Sequence, residues 1–239
     1  MHVRIEIWSD VVCPWCYIGK RRLETAIDRT GLRDDIEVVY RSFELDPSSP
    51  RIPVETVAEH LGAKYGGGPE AGQQMVDRVE AVAAEEGLVF RLGQAKRANT
   101  VDSHRLLHLA LAEGGPALQA SLKEALLAAY FLKAENVADH DLLRRTALEV
   151  GLDADRVEQV LATDEFADAV ERDVREAASL GATGVPFFVI DRKYGVSGAQ
   201  PADAFVQVLE RAWSDAHPVL EQVGATADGD VCGPDGCPI

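Results

Sequence analysis

The chain has 239 residues, of which 46% are hydrophobic and 27% charged, enough apolar material for one large domain or for one domain carrying an insertion. Its formal net charge of -16 argues against nucleic acid or an anionic membrane surface as a general partner, and solubility is the ordinary reading of such a charge. No run approaches the roughly 18 apolar residues of a membrane span. Met1-His2-Val3-Arg4 also lacks the basic segment, apolar run and cleavage site of a secretory leader, so a cytoplasmic location is expected, where thiols stay mostly reduced.

Val3, Ile5 and Ile7 alternate with Arg4 and Glu6, a period of two that predicts a strand. Cys13-Pro14-Trp15-Cys16 follows, and then a helix-suited stretch through Lys20, Leu23, Ala26 and Ile27. Proline is favoured at the first helical position because its missing N–H would have no intrahelical partner. Cys13 is therefore expected at the N-terminal end of a helix, with Cys16 one turn later. Disulfide exchange needs a thiolate, and the unpaired N–H groups and dipole of a helix N-terminus favour an anion there. Half of a zinc site is the competing reading, but zinc needs two more ligands held close. The strand before and the helix after favour a redox pair, in which Cys13 attacks and Cys16 resolves.

Gly31 stops this helix, and Ile36, Val38 and Tyr40 predict a second strand ending near Phe43. The proline-rich segment from Asp46 to Pro53 marks an exit from this first βαβ portion. From about Val54 to Leu180 the patterns are helical. Helices are expected around Val54–Tyr65, from Pro69 to about Glu86, Thr100–Glu113, from Pro116 onward, Leu142–Val150, Ala154–Leu161 and Glu165–Leu180. The Pro116 helix carries a clear apolar stripe through Leu118, Leu122, Leu126 and Tyr130. The period then returns to that of strands at Val185–Ile190 and Tyr194–Gly198, and a last helix opens at Pro201. The order is β-α-β, a helical block, then β-β-α.

Other groups carry weaker signals. His104 and His108 could share a helix face, but Arg105 stands where a metalloprotease helix needs glutamate. Gly66-Gly67-Gly68 lacks the Lys-Ser/Thr of a phosphate loop and reads as a connection between helices. Lys20, Arg21 and Arg22 read as solvated helix residues. In the tail, Pro234-Asp235-Gly236 is a turn signal that can bring Cys232 and Cys237 within disulfide reach, as a possible second redox pair; oxidisable thiols without function are the plainer reading.

Several pieces together resemble the DsbA-like branch of the thioredoxin superfamily, and within it the FrnE-type proteins. They are Trp8-Ser9-Asp10 leading into Cys13-Pro14-Trp15-Cys16, Phe43-Glu44-Leu45-Asp46-Pro47, Asn99-Thr100 with His104-Arg105-Leu106, Gly184-Val185-Pro186, and Ser197-Gly198-Ala199-Gln200-Pro201. The resemblance implies an α/β, thioredoxin-like fold with an all-helical insertion domain. The corresponding division is 1–45 with 183–214 for the thioredoxin-like domain, 46–182 for the insertion and 215–239 for a tail with a Cys-x4-Cys pair that also occurs in FrnE-like proteins. It implies further that Pro186 is cis and packs against the cysteines, and that Val185 offers backbone groups to an extended peptide. The Pro14-Trp15 dipeptide departs from the Pro-His of DsbA itself and brings no imidazolium, and Asp10, if close, opposes ionisation of a thiol.

The expected activity is thiol–disulfide exchange with protein or small-molecule disulfides, with glutathione a further candidate partner and no metal or organic cofactor required. A glutathione-dependent isomerase or kappa-class-like transferase is a second reading, although such sites typically carry serine at the first position. A redox sensor or chaperone-like protein is a third.

Overall fold

The computed structural model describes residues 2–218, and Cys232 and Cys237 lie outside the described residues. Strands β1 (Val3–Ser9), β2 (Ile36–Ser42), β3 (Phe187–Ile190) and β4 (Tyr194–Ser197) form one sheet in the order β2-β1-β3-β4. The first pair is parallel, with Val3 opposite Ile36 and Ser9 opposite Ser42. The other two are antiparallel, with Trp8 opposite Phe187 and Phe187 opposite Ser197. Helix α1 (Pro14–Thr30) makes the crossover between β1 and β2. Six helices then precede β3: α2 (Val57–Tyr65), α3 (Gly68–Glu85), α4 (Val101–Lys133), α5 (His140–Glu149), α6 (Ala154–Ala162) and α7 (Ala167–Ser179). Helix α8 (Ala202–Ala216) follows β4 and packs against α1.

Local chemistry sets the boundaries. Helix α2 begins at Val57 rather than Val54 because Thr56 and Glu59 close a capping box, the Thr56 N–H donating to Glu59 Oε2 at 2.7 Å and the Glu59 N–H to Thr56 Oγ1 at 3.2 Å. The two helices expected on either side of Gly114-Gly115 are present, meeting at a kink, and are numbered together as α4. Gly115 leaves helical geometry at φ 67 and ψ -165, and Pro116 restarts the ladder. Strand β3 starts at Phe187, two residues after Val185, because Pro186 has no N–H to give a ladder.

Three apolar clusters hold the described residues together, the smallest being Trp8, Ala177, Phe187 and Val189 on the other face of the sheet. One lies between the sheet, α1 and α8, and is built on Ile5, Ile7, Leu23, Phe188, Phe205 and Leu209. The largest fills the helical block but also takes in Val11, Tyr17 and Ile18 from the start of α1. Tyr17 stacks on Phe90 at 5.8 Å and Phe90 on Phe131 at 4.6 Å, so α1 is wedged between the sheet and the insertion.

The basic run of α1 is not solvated. Lys20 is buried and pairs with Glu24 at 2.5 Å and with Glu124 of α4 at 2.6 Å; Arg21 also pairs with Glu124, and Arg22 with Glu86 at 2.6 Å. Apart from Glu24 on α1 itself, the facing carboxylates come from far along the chain, Glu86 lying 64 residues from Arg22 and Glu124 lying 103 from Arg21. Partial burial alone would raise the Glu124 carboxyl. Hydrogen bonds from Arg21, Lys20 and Tyr17 outweigh that and bring it from 4.5 down to about 2. A depressed carboxylate contributes stability that is complete above its unfolded value and is lost as pH falls through the folded one. Glu124→Gln is therefore expected to lower the urea midpoint at pH 7, with the deficit closing between pH 4.5 and about 2. A deficit independent of pH would contradict the pairing.

Helices α2 and α3 touch backbone to backbone. A Cβ on Gly72 would run into the carbonyl oxygen of Ala58, and one on Gly62 into that of Gly68. Gly72→Ala is expected to cost about 3 kcal/mol, the upper end of the usual overpacking penalty, in denaturant unfolding. A neutral effect would show that the hairpin can open at no cost.

Candidate active site

Cys13 is the N-cap of α1, with extended backbone at φ -89 and ψ 113, and Pro14 occupies the first helical position. The first turn carries no acidic residue, so nothing there offsets the positive end of the helix dipole. The Cys13 N–H donates to the Asp10 carbonyl at 3.4 Å and the Cys16 N–H to the Cys13 carbonyl at 3.0 Å, which places the two cysteines on consecutive corners of one tight turn. Both are free thiols and both residues are buried.

The Val185–Pro186 bond is cis, and the Cys13 thiol donates to the Val185 carbonyl at 3.5 Å. This contact joins residues 172 positions apart. It is permitted by Gly19, where a Cβ would lie 3.1 Å from Pro186 Cγ and 3.2 Å from Phe188 Cζ. Gly198 donates to the Pro186 carbonyl at 2.8 Å and fixes the loop from its other side. The Val185 N–H has no acceptor among the described residues. Trp15 is 41% exposed at the rim. A cavity of about 410 Å³ opens beside Cys13, between the start of α1 and the α2–α3 hairpin, with Val12, Leu61, Tyr65, Val79 and Tyr130 among its walls.

Beneath the cysteines lies a buried polar group that the sequence disclosed only in part. Asp10 is fully buried; its carboxylate accepts from the Leu45 N–H at 2.8 Å and meets His104 Nε2 at 3.3 Å. Burial would raise that carboxyl, but His104 and the Leu45 amide, helped by the charge of Lys123, bring it below its ordinary value. Lys123 of α4 is 1% exposed and donates to the Ser9 carbonyl at 3.4 Å. Burial also pushes the Cys16 thiol well up, the Cys13 sulfur adds to that, and Lys123 opposes it. Asp10 and His104 were legible as motif positions. Lys123 had no signal beyond its place on the buried stripe of the Pro116 helix, next to Leu122.

His104 and His108 face different partners. His108 Nε2 lies 3.1 Å from Ser42 Oγ and 3.0 Å from Asp173 Oδ2, so it ties α4 to the end of β2 and to α7. Among the described residues no group of three or more His, Cys, Asp or Glu side chains is placed to hold a metal ion. Gly66 and Gly67 are the turn between α2 and α3, and Gly68 is the first residue of α3. No described helix is long and apolar enough to cross a membrane.

The chain is 47% identical to the probable DsbA oxidoreductase of Streptomyces coelicolor, with a TM-score of 0.83 and coverage of 100% of this chain and 99% of that one. It is 28% identical to the Bacillus subtilis protein YwbO, over 90% of this chain and 98% of the relative. The cytosolic disulfide reductase DsbM of Pseudomonas aeruginosa, solved with GSH, shares the fold at a TM-score of 0.60 and 17% identity, covering 88% of this chain and 98% of that one. The DSBA-like thioredoxin domain matches residues 4–210. With the mixed sheet, the helical insertion and the cysteine pair at the start of α1, that match places the chain in the DSBA-like thioredoxin family, whose members include disulfide oxidoreductases.

Proposed function

We propose that this protein is a thiol–disulfide oxidoreductase or isomerase that exchanges disulfides with protein or small-molecule substrates through the Cys13–Cys16 dithiol. The observation that carries the proposal is the position of Cys13. The residue stands at the N-cap of a helix, and its thiol touches the Val185 carbonyl beside an open cavity, whereas Cys16 sits one turn deeper among buried charges. In this reading Cys13 attacks a substrate sulfur, a mixed disulfide forms and the first substrate thiolate leaves. Cys16 then attacks Cys13, closing the Cys13–Cys16 bond and releasing the second thiolate. Electrons pass from the dithiol to the substrate; the reverse sequence oxidises a substrate dithiol. Val185 and Pro186 form the floor of the substrate groove, where the unengaged Val185 N–H suits a one-strand β-addition. Pro14 and Trp15 shape its rim, and glutathione is a candidate small thiol partner. A cytoplasmic setting belongs to the proposal and favours reduction or isomerisation over net oxidation.

Cys13→Ser is expected to abolish insulin reduction. Cys16→Ser should still attack but accumulate mixed disulfides, visible by mass spectrometry. Normal turnover by Cys16→Ser would refute the dithiol mechanism. Chromene-carboxylate isomerisation measured beside insulin reduction separates this activity from a glutathione-dependent isomerase or transferase. Neither activity with intact thiols would favour a sensor.

Cys232 and Cys237, outside the described residues, are included as a second pair that exchanges with the first. Replacing both with serine is expected to change the rate at which Cys13 and Cys16 are reoxidised, read by trapping and mapping the disulfides. An unchanged rate would remove the tail from the scheme.

A further inference from the structure

The β3–β4 ladder ends at the pair Phe187–Ser197, so Pro186 on one side and Gly198 to Pro201 on the other need other ties. Gly198, in the left-handed region at φ 76, donates to the Pro186 carbonyl at 2.8 Å. The segment also folds on itself, Gln200 donating from its N–H to the Gly198 carbonyl at 2.9 Å and from Nε2 to the Ser197 carbonyl at 2.8 Å. Among the described residues, the side-chain hydrogen bond it receives from another element comes from Arg22 of α1, which donates to the Ala199 carbonyl at 2.7 Å. The same guanidinium uses Nε for Glu86, at the C-terminal end of α3, at 2.6 Å, and both side chains are largely enclosed. One planar fork thus serves acceptors on two different elements, a geometry that a lysine ammonium does not fix. Helix α3 carries Val76 and Val79 into the wall of the cavity beside Cys13, and Ala199 packs on the apolar cluster of the helical block. Gly19, which leaves room for Pro186 and Ala199, stands three residues before Arg22 on the same side of α1.

We infer that Arg22 is a positioning residue for peptide disulfides: it clamps the Ala199 loop to α1 and α3, and through Gly198 fixes Pro186 and the Val185 backbone that receives the substrate strand. The inference rests on the dithiol reading above and on its one-strand β-addition at Val185. Arg22 acts through others. Glu86 holds Arg22, Arg22 holds Ala199, the Gly198 amide holds Pro186, and the Val185 carbonyl meets the Cys13 thiol at 3.5 Å. Without the guanidinium the Ala199 carbonyl turns to water and the loop is free to shift with Pro186. A displacement of about 1 Å is enough to spoil the alignment of a bound strand with Cys13. A small aromatic disulfide has no peptide backbone to lay on Val185 and needs only the thiol.

The test compares two substrates on the full chain, a disulfide-linked peptide and a chromogenic aromatic disulfide. Arg22→Met keeps the apolar stem and removes the fork. Its kcat/KM for the peptide is expected to fall at least about tenfold, mostly through KM, while chromophore release by Cys13 stays within about twofold of wild type. Independently of whether that variant folds, Glu86→Gln loosens the other end of the clamp and is expected to move the peptide rate in the same direction, by less. With no substrate present, the Gly198 amide is expected to exchange its hydrogen faster in either variant, while the β1 amides keep their protection. A role in packing alone would lower the urea midpoint and leave the ratio of peptide to aromatic rates as in wild type. That unchanged ratio, or unchanged Gly198 exchange in both variants, would overturn the assignment. Wild-type protein inert toward both disulfides would overturn the dithiol reading, and the role of Arg22 with it.

Discussion

The site depends on β1 being an inner strand. Paired in parallel on one side and antiparallel on the other, it has no free edge, and Val3, Ile5 and Trp8 are wholly enclosed. Its carboxyl end therefore emerges where β3 begins. With Trp8 opposite Phe187, the residues just after β1 and just before β3 must share one small space. That is how Cys13 comes to lie against Val185. A slip of one residue in the pairing would turn Phe188 away from the α1–α8 face and Pro186 away from Gly19. The close approach at Gly19 is the local condition that lets this register close tightly.

The insertion is separate along the chain but continuous with the site in space. Its apolar cluster contains Val11, Tyr17 and Ile18, which flank the cysteines, and its α4 supplies Glu124 to Lys20 of α1 and Lys123 to the Ser9 carbonyl at the end of β1. The partly buried pairs of Glu124 with Lys20 and Arg21 gain little net energy over an apolar contact, yet removing one partner strands the other. They therefore fix the rotation of α1 against α4 more than they add to stability. That rotation carries Lys123 inward. The α2–α3 hairpin, locked by contact at Gly62 and Gly72, completes the cavity wall beside Cys13.

What could be read from the sequence was what is local. The period-two run before Cys13, Pro14 at the helix start, and the Gly and Pro breaks between helices report backbone preferences that hold without knowledge of partners. The cysteines were legible because their chemistry fits in a few adjacent residues, whereas the Val185-Pro186 pair was marked only by the family resemblance, since spacing along the chain says nothing of its distance from them. Lys20, Arg21 and Arg22 were misread because a charged residue looks the same whether it faces water or a distant glutamate. Lys123 stayed hidden for the converse reason: the apolar stripe that marks its helix as buried gives no sign that polar positions, Gln119 and Lys123, also lie on the buried side. Gly19 and Gly72 looked ordinary because the atoms that forbid a side chain there belong to other elements.

These pairings also decide which charges govern the cysteines. Helix α1 begins with a basic run, but Glu24, Glu124 and Glu86 neutralise it within ion-pair distance. Its contribution to the field at Cys13 and Cys16 is accordingly small. Exposed charges are screened beyond about 8 Å at physiological ionic strength. Three sources remain close and incompletely screened: the unopposed N-terminus of α1, the buried Lys123, and the buried Asp10 carboxylate with its His104 partner. All act at short range and from within. In the proposed exchange, choice among disulfides falls to contact: the walls formed by Leu61, Tyr65 and Val79, the rim at Trp15, and the backbone of Val185. On that proposal the fold separates two tasks, with reactivity set by the groups beneath the cysteines and recognition by the cavity beside them.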